Sequence, residues 1–276
     1  MLIARSLAAL AASLIAATAH AQTVTFTNVV NSSGSLDTFF NPAINESGTL
    51  AFFARTDSGV AGIYTSNGAE TTLVADGNTP NGSGGTFGNI SGRPVINDAG
   101  TVAFTTFRFG GTSGVYKWDA GVISVVADNT NTNAGELILP SVGGINASGT
   151  VALTSELRSG GVGVFTGTGN GAVTTIADTN TIEGGTYNDL ENAVLNDSGT
   201  VVFMGSRSGS GGGNSQRIFA ASGGTVTSLI DSRTGNNGVF LGFNSFFRPS
   251  VNASGKVAFH ANLKNGGAGI FVSGGK

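Results

Sequence analysis

"INDAGTVAF" occupies residues 96–104, and four close variants of it occur elsewhere in the chain. They are "INESGTLAF" from residue 44, "INASGTVAL" from 145, "LNDSGTVVF" from 195 and "VNASGKVAF" from 251. The repeated Asn falls at Asn45, Asn97, Asn146, Asn196 and Asn252, which gives intervals of 52, 49, 50 and 56 residues. A period near 50 residues is typical of propeller blades, solenoid turns or tandem arrays.

The content of one repeat decides between these architectures. In the second unit, the apolar strand "RPVIN" is followed by the turn "DAG" and the strand "TVAFTTF", and "GVYKW" and "VISVVAD" form two further strands. Asn and Gly favour the left-handed backbone of tight turns, and the apolar runs between them are too short for helices. Four short antiparallel strands are the content of one propeller blade. The sequence therefore predicts an all-β, five-bladed β-propeller of four-stranded antiparallel blades.

The two ends of the chain suggest how such a ring closes. The fifth unit stops after its third strand, "AGIFVSGGK", whereas "QTVTFTNVVNSSG" precedes the first unit and resembles the fourth strand of unit four, "GGTVTSLIDSRTG". Pairing these two segments removes exposed sheet edges. We therefore expect the N-terminal strand to close the last blade, and residues 22–276 to form one domain.

The first residues read as a secretory signal. Residues 1–21 contain one early cation, Arg5, then a short apolar stretch and the cleavage motif Ala19-His20-Ala21. This predicts a protein that is secreted or periplasmic, with no membrane span after cleavage. The chain has no cysteine, which excludes disulfides and thiolate metal sites, and its net charge of −3 argues against nucleic acid as a partner.

The copies at Asn45, Asn97 and Asn252 match the pattern N-x-x-G-x-x-A-F, whereas Leu153 and Val202 depart from it in the other two. The chain thereby resembles the bacterial secreted NxxGxxAF tandem-repeat proteins, some of which carry a C-terminal surface anchor. It is more distantly similar to TolB-type propeller repeats. The first resemblance implies an extracellular repeat protein, and the second implies blades.

Catalytic signals are weak. His260 is the single histidine after residue 21, it lies within a predicted strand, and no nucleophile elbow accompanies it. We predict no catalytic residues, no metal site and no cofactor, and we favour a non-enzyme. The alternative is a carbohydrate-active hydrolase with paired carboxylates on the long-loop face. The non-repeating acids are its candidates: Glu136, Glu156, Glu183, Asp189 and Glu191.

A cation recurs in each loop between the second and third strands, 10 to 12 residues after the repeated Asn. These ligand-binding candidates are Arg55, Arg108, Arg158, Arg207 and Lys264, with Tyr187 as an aromatic platform from a long loop. In a propeller these loops share a face with the long connections between blades. The sequence therefore predicts a binding or structural module, expected to be monomeric, with an extracellular glycan or protein as its partner on that face.

Overall fold

The computed structural model describes residues 25–81, 85–107, 112–130, 137–184, 187–207, 215–232, 240–243, 248–263 and 266–273. The predicted signal peptide lies outside these residues. The described chain is all-β apart from a 3-10 turn at Ile182–Gly184. None of its helical segments is long and apolar enough to cross a membrane.

Five antiparallel sheets follow one another along the chain, one for each copy of the repeat. Sheet 1 contains β1 (Leu36–Ile44), β2 (Leu50–Thr56), β3 (Ala61–Ser66) and β4 (Thr71–Asp76). Sheet 2 contains β5 (Asn89–Ile96), β6 (Val102–Phe107), β7 (Gly114–Asp119) and β8 (Val122–Asp128). Sheet 3 contains β9 (Ser141–Ile145), β10 (Val151–Glu156), β11 (Val162–Gly167) and β12 (Val173–Asp178). Each has its strands in chain order, as the repeat predicts.

The last two sheets continue this order, but the fifth is shorter. Sheet 4 contains β13 (Asp189–Leu195), β14 (Val201–Arg207), β15 (Ser215–Ser222) and β16 (Thr225–Asp231). Sheet 5 contains β17 (Phe240–Phe243), β18 (Ser250–Val251), β19 (Val257–Leu263) and β20 (Ala268–Val272). Because β17 and β18 both pair with the same side of β19, they share the first-strand position. Sheet 5 thus has three strand positions among the described residues.

The repeated Asn forms the turn between the first and second strands, as predicted. In sheet 1 the Asn45 side-chain oxygen accepts a hydrogen bond from the backbone N–H of Thr49 at 2.9 Å. The Gly48 N–H donates to the Asn45 carbonyl, and the positive φ of 82° at Gly48 explains the glycine. The other four copies make the same two bonds. The five Asn residues are therefore structural elements of hairpins.

The same Asn side chains also join neighbouring sheets. The amide of Asn45 donates to the carbonyl of Asn97 at 3.1 Å, and Asn97 donates to Asn146 at 3.0 Å. Asn146 and Asn196 repeat the contact with the Asn of the following sheet. This series, the Asn ladder, runs from sheet 1 to sheet 5. Among the described residues, no bond from Asn252 to Asn45 completes it.

The apolar core lies between successive sheets. In sheet 2, Phe104 and Tyr116 stack across adjacent strands with ring centroids 6.2 Å apart, and they belong to one cluster with Phe53 and Ile63 of sheet 1. Similar clusters join sheets 2 and 3, 3 and 4, and 4 and 5. The first strands of sheets 1 to 4 contact one another. Sheets packed face to face around their first strands give a propeller-like arrangement.

The predicted closing strand is not formed in this structure. Residues 25–31 have no strand, and Val30 packs against an apolar cluster of sheet 1 that includes Phe52 and Tyr64. One face of sheet 5 is exposed to solvent. Ile270 on this face is 71% exposed, whereas its counterpart in sheet 1, Ile63, is fully buried against sheet 2. In this structure the fifth sheet therefore lacks the predicted fourth strand, and Val30 packs on sheet 1 instead.

Candidate functional site

A cavity of about 310 Å³ lies where the first strands of all five sheets converge. We call it the central cavity. Its lining consists of Ala43, Arg93, Val95, Ile96, Gly143, Gly144, Ile145, Val194, Leu195, Arg248, Ser250 and Val251. Every one of these residues lies one to four positions before a repeated Asn, so the cavity sits toward the Asn-turn end of the sheets. This end is opposite the long-loop face on which the sequence placed its candidates.

The charged residues in this lining are Arg93 and Arg248. Each precedes a proline and lies four residues before a repeated Asn. The pairing of β5 with β6 is irregular between Ser91 and Val95, and Gly92 has a φ of 92°. Such a bulge bends the strand and re-aims the side chain that follows it. The bulge therefore places Arg93 at the cavity wall instead of in the regular alternation of β5.

Arg248 reaches across the cavity. Its guanidinium donates a hydrogen bond of 3.2 Å to the carbonyl of Gly143, which belongs to sheet 3. Desolvation by the surrounding walls, and then repulsion from Arg93, lower the pKa of Arg248. An arginine remains protonated under such conditions. The central cavity therefore holds two positive charges that repel one another.

A ring of aliphatic side chains lies beside these charges. Ile96, Ile145, Leu195 and Val251 each occupy the position immediately before the repeated Asn of sheets 2 to 5. We call these four residues the apolar collar. Because they come three positions after the arginines in the repeat, strand geometry separates the two levels by roughly 7–10 Å. The cavity thus has a cationic level and an apolar level.

The cations predicted from the sequence are elsewhere. Arg55, Arg158 and Arg207 are exposed, each on its own sheet at the end opposite the Asn turns. Arg55 donates to the carbonyl of Gly59 in its own loop and lies 5.8 Å from the ring of Phe53. None of the three lines the central cavity. Arg108 and Lys264 lie outside the described residues.

Tyr187 requires a correction, because it is buried between sheets 3 and 4. Its ring meets Phe219 edge-on at 5.3 Å, and burial raises the pKa of its hydroxyl to about 12. A Cβ on Gly205 would approach this ring to 2.9 Å, so the glycine makes room for it. Tyr187 is consequently a core residue and cannot serve as a surface platform for a ligand.

The acids proposed for hydrolysis do not line the central cavity either. Glu183 pairs with Arg217, and Glu156 is exposed at the end of β10. Asp189 and Glu191 are two positions apart on β13 and therefore lie on the same face of the strand. Burial, and then the charge of Asp189, raise the pKa of Glu191. Glu136 lies outside the described residues. Asp189 and Glu191 are therefore two candidate acids close enough for their charges to interact.

Neither cavity arginine is among the candidates predicted from the sequence, although the repeat contains a signal for both. "RPVIN" at residues 93–97 and "RPSVN" at residues 248–252 share an Arg-Pro step in the same register of the repeat. Comparing residues upstream of the repeated Asn, instead of downstream, would have found them. His260 lies in a strand, β19, at the position equivalent to Met204 of sheet 4, and it is partly buried.

These features define an all-β repeat protein with a propeller-like arrangement and a cationic central cavity. A protein family of unknown function, DUF7453, matches residues 6–275, and the chain belongs to this family. No curated protein matches the sequence. The NxxGxxAF resemblance stays a hypothesis.

Among solved structures, a puromycin-hydrolyzing peptidase of Mycobacterium tuberculosis is similar with a TM-score of 0.55 and 9% identity. The alignment covers 86% of this chain but 36% of the peptidase, so the similarity concerns the fold alone. The β-propeller domain of the Trilobed protease from Pyrococcus furiosus aligns over 86% of this chain and 81% of its own, with 11% identity and a TM-score of 0.37. The SapL1 lectin, solved with alpha methyl fucoside, aligns over 84% and 79%, with 10% identity and a TM-score of 0.43. The last two scores are too low to support an argument.

Proposed function

We propose that this protein is a non-catalytic binding module that recognises an extracellular glycan or peptide. The observation that carries the proposal is the lining of the central cavity, whose charged residues are both arginines. Arginine offers several fixed N–H donors and suits the recognition of anionic or carbonyl-bearing groups. A cavity that combines such donors with aliphatic walls has the composition expected of a ligand site.

The second candidate is a glycoside hydrolase that uses Asp189 and Glu191. The pKa of Glu191 is raised by burial and by Asp189, which is the direction of shift that a general acid requires. Against it, both carboxylates lie on one strand, and neither lines the central cavity. Binding without turnover therefore accounts for more of the geometry.

Arrays of glycans and peptides, run together with a panel of chromogenic glycosides, separate the two functions. We expect binding and no hydrolysis. Arg93→Gln and Arg248→Gln should abolish the array signal, whereas Arg158→Gln and Arg207→Gln, on the long-loop face, should retain it. Signal lost in the second pair alone would move the site to the long-loop face. Turnover that disappears in Glu191→Gln would establish the hydrolase instead.

We also propose that in solution the N-terminal segment pairs with β20 as the fourth strand of the fifth sheet. Residues 25–31, "TFTNVVN", align without a gap with "TVTSLID" of β16. Asn31 caps the N–H of Ser33 with its side-chain oxygen, and Asp76, Asp128 and Asp178 cap the residue two positions later in the same way. The segment therefore ends like a fourth strand. Closure would also bring sheet 1 against the face of sheet 5 that carries Ile270, as sheet 2 packs against Ile63 of sheet 1.

The register of this closure is specific enough to test. In sheet 1, Thr65 pairs with Thr72, and the corresponding residues are Val272 and Thr27. Because the chain has no cysteine, Thr27→Cys with Val272→Cys gives an unambiguous pair that should form a disulfide in air. The control pair, Asn28→Cys with Val272→Cys, directs the two thiols to opposite faces of the sheet and should stay reduced. Equal cross-linking of both pairs would contradict the closure.

The N-terminal segment also bears on export and on oligomeric state. We propose that residues 1–21 direct secretion and are removed after Ala21, which leaves a monomer outside the cytoplasm. N-terminal sequencing of protein recovered from the periplasm or medium should begin at Gln22. Light scattering should give the mass of one chain. Retention of the full chain in the cytoplasm would rule the export proposal out.

A further inference from the structure

The central cavity presents its charge and its apolar surface at two levels, and this arrangement says more about a ligand than the presence of a binding site does. Under the binding function proposed above, a ligand meets two levels of this cavity. Arg93 and Arg248, which are both exposed to solvent, form the cationic level, and the apolar collar forms the level next to the repeated Asn turns. A ligand that satisfies both levels must itself have a charged end and an aliphatic end.

The cationic level calls for an anion. Two guanidinium groups share a cavity of about 310 Å³ whose described lining contains no carboxylate. The bond from Arg248 to the Gly143 carbonyl holds one guanidinium at the wall but does not neutralise it. An oxyanion placed between the two groups would relieve their repulsion and accept hydrogen bonds from both. Arginine forks match the planar, two-oxygen geometry of a carboxylate particularly well.

The apolar level calls for hydrocarbon. Ile96, Ile145, Leu195 and Val251 are partly buried, and each packs against an apolar cluster between sheets while another part of its surface lines the cavity. Covering that cavity-lining part with aliphatic groups removes apolar surface from water and is therefore favourable. Inorganic phosphate or sulfate would leave the collar uncovered. A carboxylate with a short aliphatic tail would cover it.

We propose that the central cavity binds a small aliphatic carboxylate, with the carboxylate between Arg93 and Arg248 and the aliphatic part against the apolar collar. The glycan or peptide of the proposed function would present this group as a carboxyl-bearing terminus. The site takes the ligand from the Asn-turn end of the molecule, opposite the long-loop face. No bond forms or breaks in this recognition.

Hexanoate is a suitable probe, and isothermal titration calorimetry with the full mature chain is the measurement. We expect hexanoate to bind more tightly than acetate, because the tail reaches the collar, and hexan-1-ol not to bind, because it lacks the charge. Arg93→Gln and Arg248→Gln should each weaken hexanoate binding by about 10-fold or more. Arg93→Lys keeps the charge but loses the fork, so it should weaken binding less. Arg158→Gln is the matched control on the other face and should leave affinity unchanged.

Other results overturn the proposal in distinguishable ways. Inorganic phosphate that binds as tightly as hexanoate would contradict the aliphatic part of the ligand. Hexanoate affinity that is unchanged in both Gln variants, with melting curves showing that they are folded, would place the site elsewhere. If hexanoate does not bind but array ligands still depend on Arg93 and Arg248, the binding function stands and the ligand class is wrong. If no array ligand binds either, the proposed function fails with it.

Discussion

Asn97 performs two tasks with one side chain. Its oxygen accepts the N–H of Thr101 inside the turn, and its amide donates to the carbonyl of Asn146 in the next sheet. The residue is buried, so both groups lose water when they pair. The repeated Asn is therefore a connector between sheets as well as a turn former.

Replacing Asn97 separates these two tasks. Asn97→Asp keeps the acceptor for Thr101 but places a carboxylate oxygen against the Asn146 carbonyl. Asn97→Ala removes both bonds, and we expect it to lower the free energy of unfolding by about 2–4 kcal/mol. Denaturant unfolding at pH 7 measures both values. Asn97→Asp should also be destabilising, and a neutral result for it would remove the connector role.

Glu191 provides a pH-dependent prediction at the same level. Its pKa is raised in the folded protein by burial and by Asp189, so folding favours the protonated form. Ionised Glu191 therefore destabilises the protein above its folded pKa, and this penalty disappears as the pH falls below the ordinary carboxyl range. Glu191→Gln should raise the melting temperature at pH 7 and leave it unchanged at low pH.

The control for this variant is Glu156→Gln. Glu156 is exposed at the end of β10, so its replacement should have little effect on the melting temperature at either pH. A gain for Glu191→Gln that persists unchanged at low pH would mean that the charge of Glu191 is not its cause.

The first strands of sheets 3 and 4, β9 and β13, approach each other closely at Gly143. A Cβ added to Gly143 of β9 would lie 1.9 Å from the backbone carbonyl oxygen of Ala193 in β13. Backbone atoms cannot move aside cheaply, so Gly143→Ala should push the two strands apart. We expect a loss of about 1–3 kcal/mol in unfolding free energy, measured with denaturant. Gly34→Ala is the control, since open space surrounds Gly34 and its φ is not in the left-handed region.

Sheet 4 is tied to the connection before it by Arg217 of β15. The guanidinium donates to Asp231 at the end of β16 at 2.7 Å and pairs with Glu183 in the 3-10 turn. Burial alone would lower the pKa of Arg217, but the hydrogen bond with Asp231 and the neighbouring Tyr187 and Glu183 outweigh it and raise the pKa. The cation is thus shared between two elements.

Arg217→Met retains the length of the side chain and removes its charge. Because Asp231 is buried, the loss of its cation should lower the unfolding free energy by about 2–3 kcal/mol. Arg158→Met, at an exposed position, should change it by less than about 0.5 kcal/mol. Thermal and denaturant unfolding of the two variants provide the comparison. Similar losses in both would show that the pairing of Arg217 contributes little.

Among the described residues, the series of packed sheets is not closed between sheet 5 and sheet 1. The Asn ladder also stops there, at Asn252. If the ring closes in solution, Asn252 gains an acceptor in Asn45, and Asn252→Asp becomes as destabilising as Asn97→Asp. Deletion of residues 22–31 should then lower the melting temperature strongly. An Asn252→Asp variant with wild-type stability would favour the open arrangement.

Much of this architecture is readable from local sequence. The five Asn-Gly turns, the strands between them and the order of strands within a sheet follow from hydrogen bonds and backbone preferences within a few residues, which is why the repeat predicts them. The stacked pairs, such as Phe104 with Tyr116, follow from the same register because cross-strand neighbours are set by the hairpin.

The central cavity was not readable in that way. Arg93 and Arg248 are 155 positions apart, and their proximity depends on the convergence of five first strands and on the bulge beside Arg93. Tyr187 stands in a polar connection, yet the space left by Gly205 draws its ring into the core. Local propensities set the strands and turns, whereas the packing of sheets against one another determined which side chains face the cavity, because burial is a property of neighbours distant in the chain.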